Sequence, residues 1–73
     1  MKYFDINHKE INIGDIVLTR NDNIGKIFES EPDDAGSIFY NVKYFNKSYA
    51  GKYWPQSLRI LTEEQALLWM LEQ

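Results

Sequence analysis

Turn-forming residues interrupt this sequence at short and fairly even intervals, and this spacing constrains the fold more than any other feature. The interruptions are Asn7-His8, Gly14-Asp15, Asn21-Asp22-Asn23, the acidic turn 32–36, and Asn46-Lys47-Ser48. The runs between them are rich in β-branched and aromatic residues, which favour strands. Short strands separated by regular turn signals are typical of a small β sandwich or barrel. The sequence therefore predicts a mainly β domain.

The predicted strands are short, and turn residues bound most of them. Two of them are predicted to pair as an N-terminal hairpin, at 2–5 and 9–13, and five more are predicted at 15–20, 24–30, 38–45, 52–54 and 59–61. The run 38–45 is the clearest strand, because Ile38, Tyr40, Val42 and Tyr44 alternate along one face. The strand 52–54 ends at Pro55, which has no N–H to donate to a ladder.

A helix start signal follows the last predicted strand. Thr62 and Gln65 have the spacing of a capping box, in which each side chain bonds to the other residue's backbone N–H. Glu63 and Glu64 follow Thr62 directly, where the helix dipole favours carboxylates. We therefore predict a helix over 63–72.

The predicted helix is apolar on nearly every side. Leu67 and Leu71 share one stripe, while Leu68 and Trp69 point elsewhere, whereas a one-sided surface helix would carry polar residues in this run. The main interpretation is that the helix closes an open end of a barrel and is buried on most sides. The alternative is that Leu68 and Trp69 form an exposed patch for a partner protein or for a second copy.

Length, charge and cysteine content limit the class of protein. The chain has 73 residues, enough for one domain, which we divide into a hairpin (1–13), a barrel (14–61) and a helix (62–73). It has no cysteine and no apolar run at its start, so we expect a cytoplasmic protein. The longest apolar stretch, 66–71, is too short to span a bilayer, and we expect no membrane partner. The net charge of −3 argues against non-specific nucleic-acid binding.

Four short motifs between residues 14 and 61 resemble those of one group of barrels. They are Gly14-Asp15-Ile16-Val17, Gly25-Lys26-Ile27, Gly51-Lys52-Tyr53-Trp54-Pro55 and Leu58-Arg59-Ile60-Leu61. Their order is similar to that of SH3-like barrels of the KOW, Tudor and Mib/Herc2 groups. The resemblance implies a small SH3-like barrel of about five strands with an N-terminal hairpin extension and a short C-terminal α-helix. Tyr44 stands where the Mib/Herc2 pattern usually has tryptophan, and the second glycine and basic residues of KOW are missing, so no ligand is carried over.

An aromatic and basic segment is the best candidate for a binding site. Its predicted ligand-binding residues are Phe45, Tyr49, Tyr53, Trp54, Lys43, Lys47 and Lys52. No acidic residue lies between Ile38 and Arg59, so this is a locally basic part of an acidic chain. Aromatic side chains at such a site accept a proline-rich peptide, a methylated lysine or a stacked base. For Tyr40 and Tyr44 we favour a core position, and for Phe45, Tyr49 and Trp54 the two interpretations stay open.

The sequence shows no catalytic set, and we expect no enzyme activity, metal or cofactor. The single histidine, His8, lies in a predicted turn. An acidic run contains Glu29, Glu31, Asp33 and Asp34. These carboxylates lack the spacing of a calcium-binding loop. The glycines are too scattered to form a phosphate-binding loop.

Two functions therefore stay open. The first is a protein-interaction module, acting as a monomer or weak homodimer, that binds a protein or peptide through the segment 45–54 or through Leu68 and Trp69. The second is a nucleic-acid-associated module of the KOW or Tudor type that uses Lys43, Lys47 and Lys52 together with Arg59. A barrel of this size often serves as an accessory or regulator, for instance one encoded by a phage or mobile element.

Overall fold

The computed structural model describes residues 2–72 and has five strands and one α-helix. The strands are β1 (Ile16–Thr19), β2 (Ile24–Pro32), β3 (Ile38–Tyr44), β4 (Ala50–Tyr53) and β5 (Leu58–Ile60). A 3-10 turn, Pro55–Ser57, joins β4 to β5, and the helix α1 spans Glu63–Leu71. The predicted mainly β fold with five strands and a C-terminal helix is confirmed. Met1 and Gln73, the ends of the predicted domain, lie outside the described residues.

All five strands belong to one antiparallel sheet in the order β4-β3-β2-β1-β5. The first four strands follow one another along the chain, and β5 then returns to pair with β1, where Val17 lies opposite Ile60. β4 ends at Tyr53, one residue earlier than predicted, and Pro55 begins the 3-10 turn that leads to β5.

β2 is the longest strand and is bent by a bulge. The register with β3 shifts between Ile27 and Glu29, so that Phe28 is the extra residue and stays exposed. Close packing also requires glycine in this strand, because a Cβ atom on Gly25 would lie 2.5 Å from the carbonyl oxygen of Lys43. The glycine of the Gly25-Lys26-Ile27 motif therefore permits the close approach of β2 and β3.

The N-terminal segment does not form the two regular strands predicted for it. A single bridge joins Phe4 and Glu10, and the buried carboxylate of Asp5 organises the turn between them. Oδ1 of Asp5 accepts the backbone N–H groups of Asn7 and Lys9, each at 2.8 Å. Oδ2 accepts the N–H of Ile60 at 2.8 Å, which attaches the segment to β5. The backbones of the two arms still pair beside the single bridge, and the Asp5 side chain supplies acceptors to the turn and to β5.

Two hydrophobic clusters lie on opposite sides of β1. The main cluster consists of Ile11, Val17, Ile27, Tyr40, Val42, Tyr44, Tyr53 and Leu58, and the smaller one of Leu18, Ile24, Leu61 and Ala66. Val17 and Leu18 join different clusters because successive strand residues point to opposite faces. The predicted inner face of β3 is confirmed, since Tyr40, Val42 and Tyr44 are buried and Ile38 packs against them.

The capping box at the start of α1 is confirmed, but the predicted burial of the helix is wrong. Thr62 Oγ1 accepts the Gln65 N–H at 3.1 Å, and Gln65 Oε1 accepts the Thr62 N–H at 3.0 Å. In the described helix only Ala66 is buried. α1 lies over the smaller cluster with one narrow side, because Leu18 and Ile24 supply only a small apolar surface beneath it.

Candidate interaction surfaces

The structure separates the predicted binding segment into two ends and a buried part. Phe45, Lys47 and Tyr49 lie in the loop between β3 and β4, whereas Trp54 follows the last residue of β4. A four-residue strand spans about 14 Å at about 3.4 Å per residue. The exposed aromatic residues of the predicted site therefore fall into two groups, one at each end of β4.

Tyr53 occupies the core between these two ends. It is 7% exposed, and its hydroxyl hydrogen-bonds to the hydroxyl of Tyr44. Their rings pack edge to face with centroids 6.4 Å apart. Burial, followed by the hydrogen bond to Tyr53, raises the pKa of Tyr44 to about 12. This placement gives Tyr53 packing contacts instead of an accessible face.

At the loop end, a lysine and two tyrosines contact one another. The Lys47 ammonium lies 5.6 Å from the ring centroid of Tyr49 and 5.9 Å from that of Tyr44, within cation–π range. Tyr49 stays largely exposed. Phe45, which is also exposed, lines a cavity of about 320 Å³ together with Ile24 and Met70. The β3–β4 loop therefore lies beside the last turn of α1.

At the other end, the Trp54 ring packs against that of Phe39 with centroids 4.0 Å apart and planes tilted by 40°. A cavity of about 310 Å³ opens beside it, lined by Tyr3, Ile38, Trp54 and Pro55 among others. Trp54 is 39% exposed, so one part of its ring packs and another stays accessible.

The basic residues of the segment differ in their partners. Lys52 Nζ lies 2.8 Å from Glu31 Oε2, and this hydrogen bond lowers the pKa of the Glu31 carboxyl and raises that of Lys52. Lys43 lies directly opposite Lys26 in the β2–β3 ladder, and both are exposed. The sequence singled out Glu31 only as one carboxylate of the acidic run, whereas in the structure it neutralises one of the three predicted lysines.

Two other polar residues considered for catalysis or metal binding, His8 and Asp33, lie in turns. His8 is exposed in a turn with φ of 63°. Asp33 Oδ1 accepts the N–H groups of Ala35 and Ser37 at 2.9 and 2.8 Å, which closes the acidic turn. Within residues 2–72 no group of three or more histidine or acidic residues could hold a metal ion.

α1 presents an uncovered apolar surface, which we call the helix face and define as Leu67, Leu68 and Leu71. Their exposed fractions are 58%, 56% and 81%. Acidic residues flank this surface, with Glu63 and Glu64 in the first turn and Glu72 just after the helix. The helix contains no basic residue. Leu68, one of the two predicted partner-binding residues, is therefore accessible.

Trp69, the other predicted partner-binding residue, is half-buried against the smaller cluster and lines two adjoining cavities. The larger has a volume of about 460 Å³, and the smaller, of about 250 Å³, also contacts Leu68. Arg59 lines both of them, and Arg20 lines the larger one. Sequence reasoning missed Arg20, although Arg20 and Arg59 are the chain's only arginines.

Comparison of the chain with protein-family models, with curated proteins and with solved structures finds no match. In the part of the chain that the structure describes, no helix is long and apolar enough to cross a membrane.

Proposed function

We propose that this chain is a non-catalytic protein-interaction module that binds its partner through the helix face. The observation that carries the proposal is that three leucines on a nine-residue helix stay more than half exposed. Exposed apolar residues that are contiguous mark an interaction surface far more often than single ones do. Burying the exposed part of each leucine would stabilise a complex by about 1–2 kcal/mol before the costs of association.

The helix face alone is small for a stable interface. A standard interface buries about 800 Å² on each partner, and a nine-residue helix is only about 14 Å long. The interface therefore extends from α1 to a neighbouring feature. The smaller cavity between Leu68 and Trp69 is the better extension, because tryptophan is enriched among residues that dominate binding energy and Glu72 lines the same cavity.

Charge determines the kind of partner that fits. Glu63, Glu64 and Glu72 flank the helix face, so a second copy would bring like charges together around its edge. A partner segment with apolar residues flanked by lysine or arginine complements the same surface. We therefore propose a protein partner of this composition, and a monomeric chain in its absence.

Selection from a displayed library of random peptides tests this function, because it requires no identified partner. We expect enrichment of peptides that combine apolar and basic residues. Their affinity should fall about tenfold or more for the double variant Leu68→Ser/Leu71→Ser, since each leucine contributes more than about 1 kcal/mol when buried. Phe28→Ser is the matched control, because Phe28 is also an apolar residue more than half exposed, on the β2 bulge. Selected peptides that ignore the leucine variant but respond to Phe28→Ser would contradict the proposal.

A nucleic-acid-associated function is the second candidate, and the Lys26–Lys43 pair favours it. Within residues 2–72 neither lysine forms an ion pair, and Lys47 extends the positive surface toward the loop end. Three phosphate contacts would give weak binding that falls steeply with salt. Titration with short RNA and DNA at low salt, followed by amide NMR, tests it. Shifts centred on Lys43 and Lys47 that vanish with salt would support it, and their absence at millimolar oligonucleotide would exclude it.

We also propose that the fold is an SH3-like barrel of the KOW, Tudor or Mib/Herc2 type. The strand order β4-β3-β2-β1-β5 and the 3-10 turn between β4 and β5 support this assignment. An experimental structure would test it, and a flat sheet in which β4 and β5 stay far apart would contradict it.

A further inference from the structure

We propose that the larger cavity beside α1 binds a single carboxylate carried on an apolar group. The C-terminal residue of a peptide and a small free carboxylic acid share this chemistry. The inference rests on the residues that line the cavity and does not depend on the helix face.

Both arginines of an acidic chain line this one cavity. The six other basic residues are lysines, and none of them lines this cavity. Arginine is the residue type that recognises carboxylates best. The guanidinium group presents planar, forked N–H donors that match the two oxygens of a carboxylate. Within residues 2–72 neither Arg20 nor Arg59 forms an ion pair. Their donors are therefore available to a ligand.

The sheet places these two residues at one end of the β1–β5 ladder. Arg59 lies directly opposite Leu18, and Leu58 lies opposite Thr19. Arg20 follows Thr19 at the end of β1. Because paired residues share a face of the sheet, Arg59 stands beside Leu18 on the side that α1 partly covers.

The rest of the wall is largely apolar. Ile6 and Trp69 line the cavity with accessible apolar surface, and Leu18 and Leu58 lie buried behind them. Its volume of about 460 Å³ falls within the range of about 300–1,000 Å³ that small-ligand sites occupy. An apolar body beside the charged group would contact this wall, whereas a bare inorganic anion would leave it unfilled.

One acidic residue limits the charge of the ligand. Asp22 lines the same cavity, so two cations and one anion leave a net charge of +1 along its wall. Glu72 lines the adjoining smaller cavity and adds a further negative charge nearby. A monoanion matches this balance, while a dianionic phosphate would be repelled by Asp22 and by the acidic protein as a whole.

Amide NMR titration of the full chain with paired small molecules tests the proposal. N-acetyl-leucine carries the carboxylate on an apolar group, and its C-terminal amide is the neutral isostere. We expect N-acetyl-leucine to shift the Leu18 and Arg59 amides and the Trp69 indole N–H, and the amide analogue to shift them little. Equal binding of the two compounds, or tighter binding of inorganic phosphate, would overturn the proposal.

Charge variants provide the second readout. Arg20→Gln and Arg59→Gln should each weaken binding about tenfold, as expected for the loss of a charged hydrogen bond. Asp22→Asn should tighten it severalfold by removing the opposing charge, and asparagine tolerates the positive φ of 61° at this position. Lys43→Gln is the matched control, because it removes one positive charge from another surface. An equal loss of carboxylate affinity in Lys43→Gln would show only a general charge effect and would contradict the proposed site.

The source of the carboxylate is distinguished by comparing hexanoate with the acetylated tripeptide Ala-Ala-Leu. Tenfold tighter binding of the tripeptide identifies a peptide C-terminus, and comparable binding identifies a small free acid. Leu71→Ser separates this site from the proposed function, since Leu71 lines neither cavity. It should weaken partner binding and leave carboxylate binding unchanged.

Discussion

The hydroxyl groups of Tyr44 and Tyr53 hydrogen-bond to each other inside the main core, on neighbouring strands. Gly51 lies directly against both rings, and a Cβ atom at that position would collide with the Tyr44 hydroxyl. The pair therefore joins β3 and β4 through a polar contact at a buried site, and glycine at position 51 leaves room for it.

Replacing both members of this pair should cost less than the two single replacements cost together. Tyr53→Phe leaves the buried Tyr44 hydroxyl without its partner, so we expect a loss of about 1–3 kcal/mol in the free energy of unfolding. The double variant Tyr44→Phe/Tyr53→Phe should lose less than the sum of the single losses. Urea unfolding measures all three. Tyr49→Phe, at an exposed ring, is the control and should change stability by less than about 0.5 kcal/mol.

The same pair predicts a loss of stability at alkaline pH. The pKa of Tyr44 is about 12 in the folded protein, raised by burial from its ordinary value of 10.0. A raised pKa means that the folded state holds the proton more tightly, so this contribution is complete below pH 10 and is lost as the pH rises to about 12. Across this window the free energy of unfolding should fall more steeply with pH for the wild type than for Tyr44→Phe. Burial also raises the pKa of Tyr40, but Tyr40 is present in both proteins. Equal slopes would therefore contradict the assignment of this pH dependence to Tyr44.

Asp5→Ala should weaken the attachment of the N-terminal segment to β5, leaving the backbone bond from the Ile6 N–H to the Leu58 carbonyl oxygen. The three backbone N–H groups that the carboxylate accepts would lose their partner, at a cost of about 2 kcal/mol or more. Hydrogen exchange at the Ile60 amide should accelerate along with the loss of stability. Asp33→Ala is matched to it, because Asp33 also accepts two backbone N–H groups but in an exposed turn. A loss as large in Asp33→Ala would show that burial is not the cause.

The leucines of the helix face should contribute little to the stability of the isolated chain. Leu71 is 81% exposed, so Leu71→Ser should change the free energy of unfolding by less than about 0.5 kcal/mol. Ala66 is buried in the smaller cluster, and Ala66→Ser should cost more because it places a hydroxyl among apolar groups. Thermal unfolding compares the two. A large loss in Leu71→Ser would indicate a structural role for this surface.

Features that depend on neighbouring residues alone could be predicted. The alternation of Ile38, Tyr40, Val42 and Tyr44 identified the inner face of β3, because strand side chains alternate by geometry. Thr62 and Gln65 identified the start of α1, because a capping box closes within one turn. Strand ends shifted by a few residues, as at β4, which was predicted at 52–54 and spans Ala50–Tyr53.

The candidate surfaces depended on residues that are distant in the sequence. Glu31 neutralises Lys52 because the two lie on strands that flank β3, and no local signal connects them. Tyr53 is an aromatic residue with a polar end, and only its position opposite Tyr40 determined that it faces the core. Arg20 and Arg59 meet at one cavity because β5 returns to pair with β1.

By itself, the sequence determined the mainly β class, the position of α1 and its capped start, because turns, alternation and caps act over a few residues. Only the tertiary structure decided which side of α1 is covered. The run of leucines has no polar face to indicate a direction, so its exposure depends on how little of β1 and β2 lies beneath the helix. That long-range packing, and not the local pattern, left Leu67, Leu68 and Leu71 accessible.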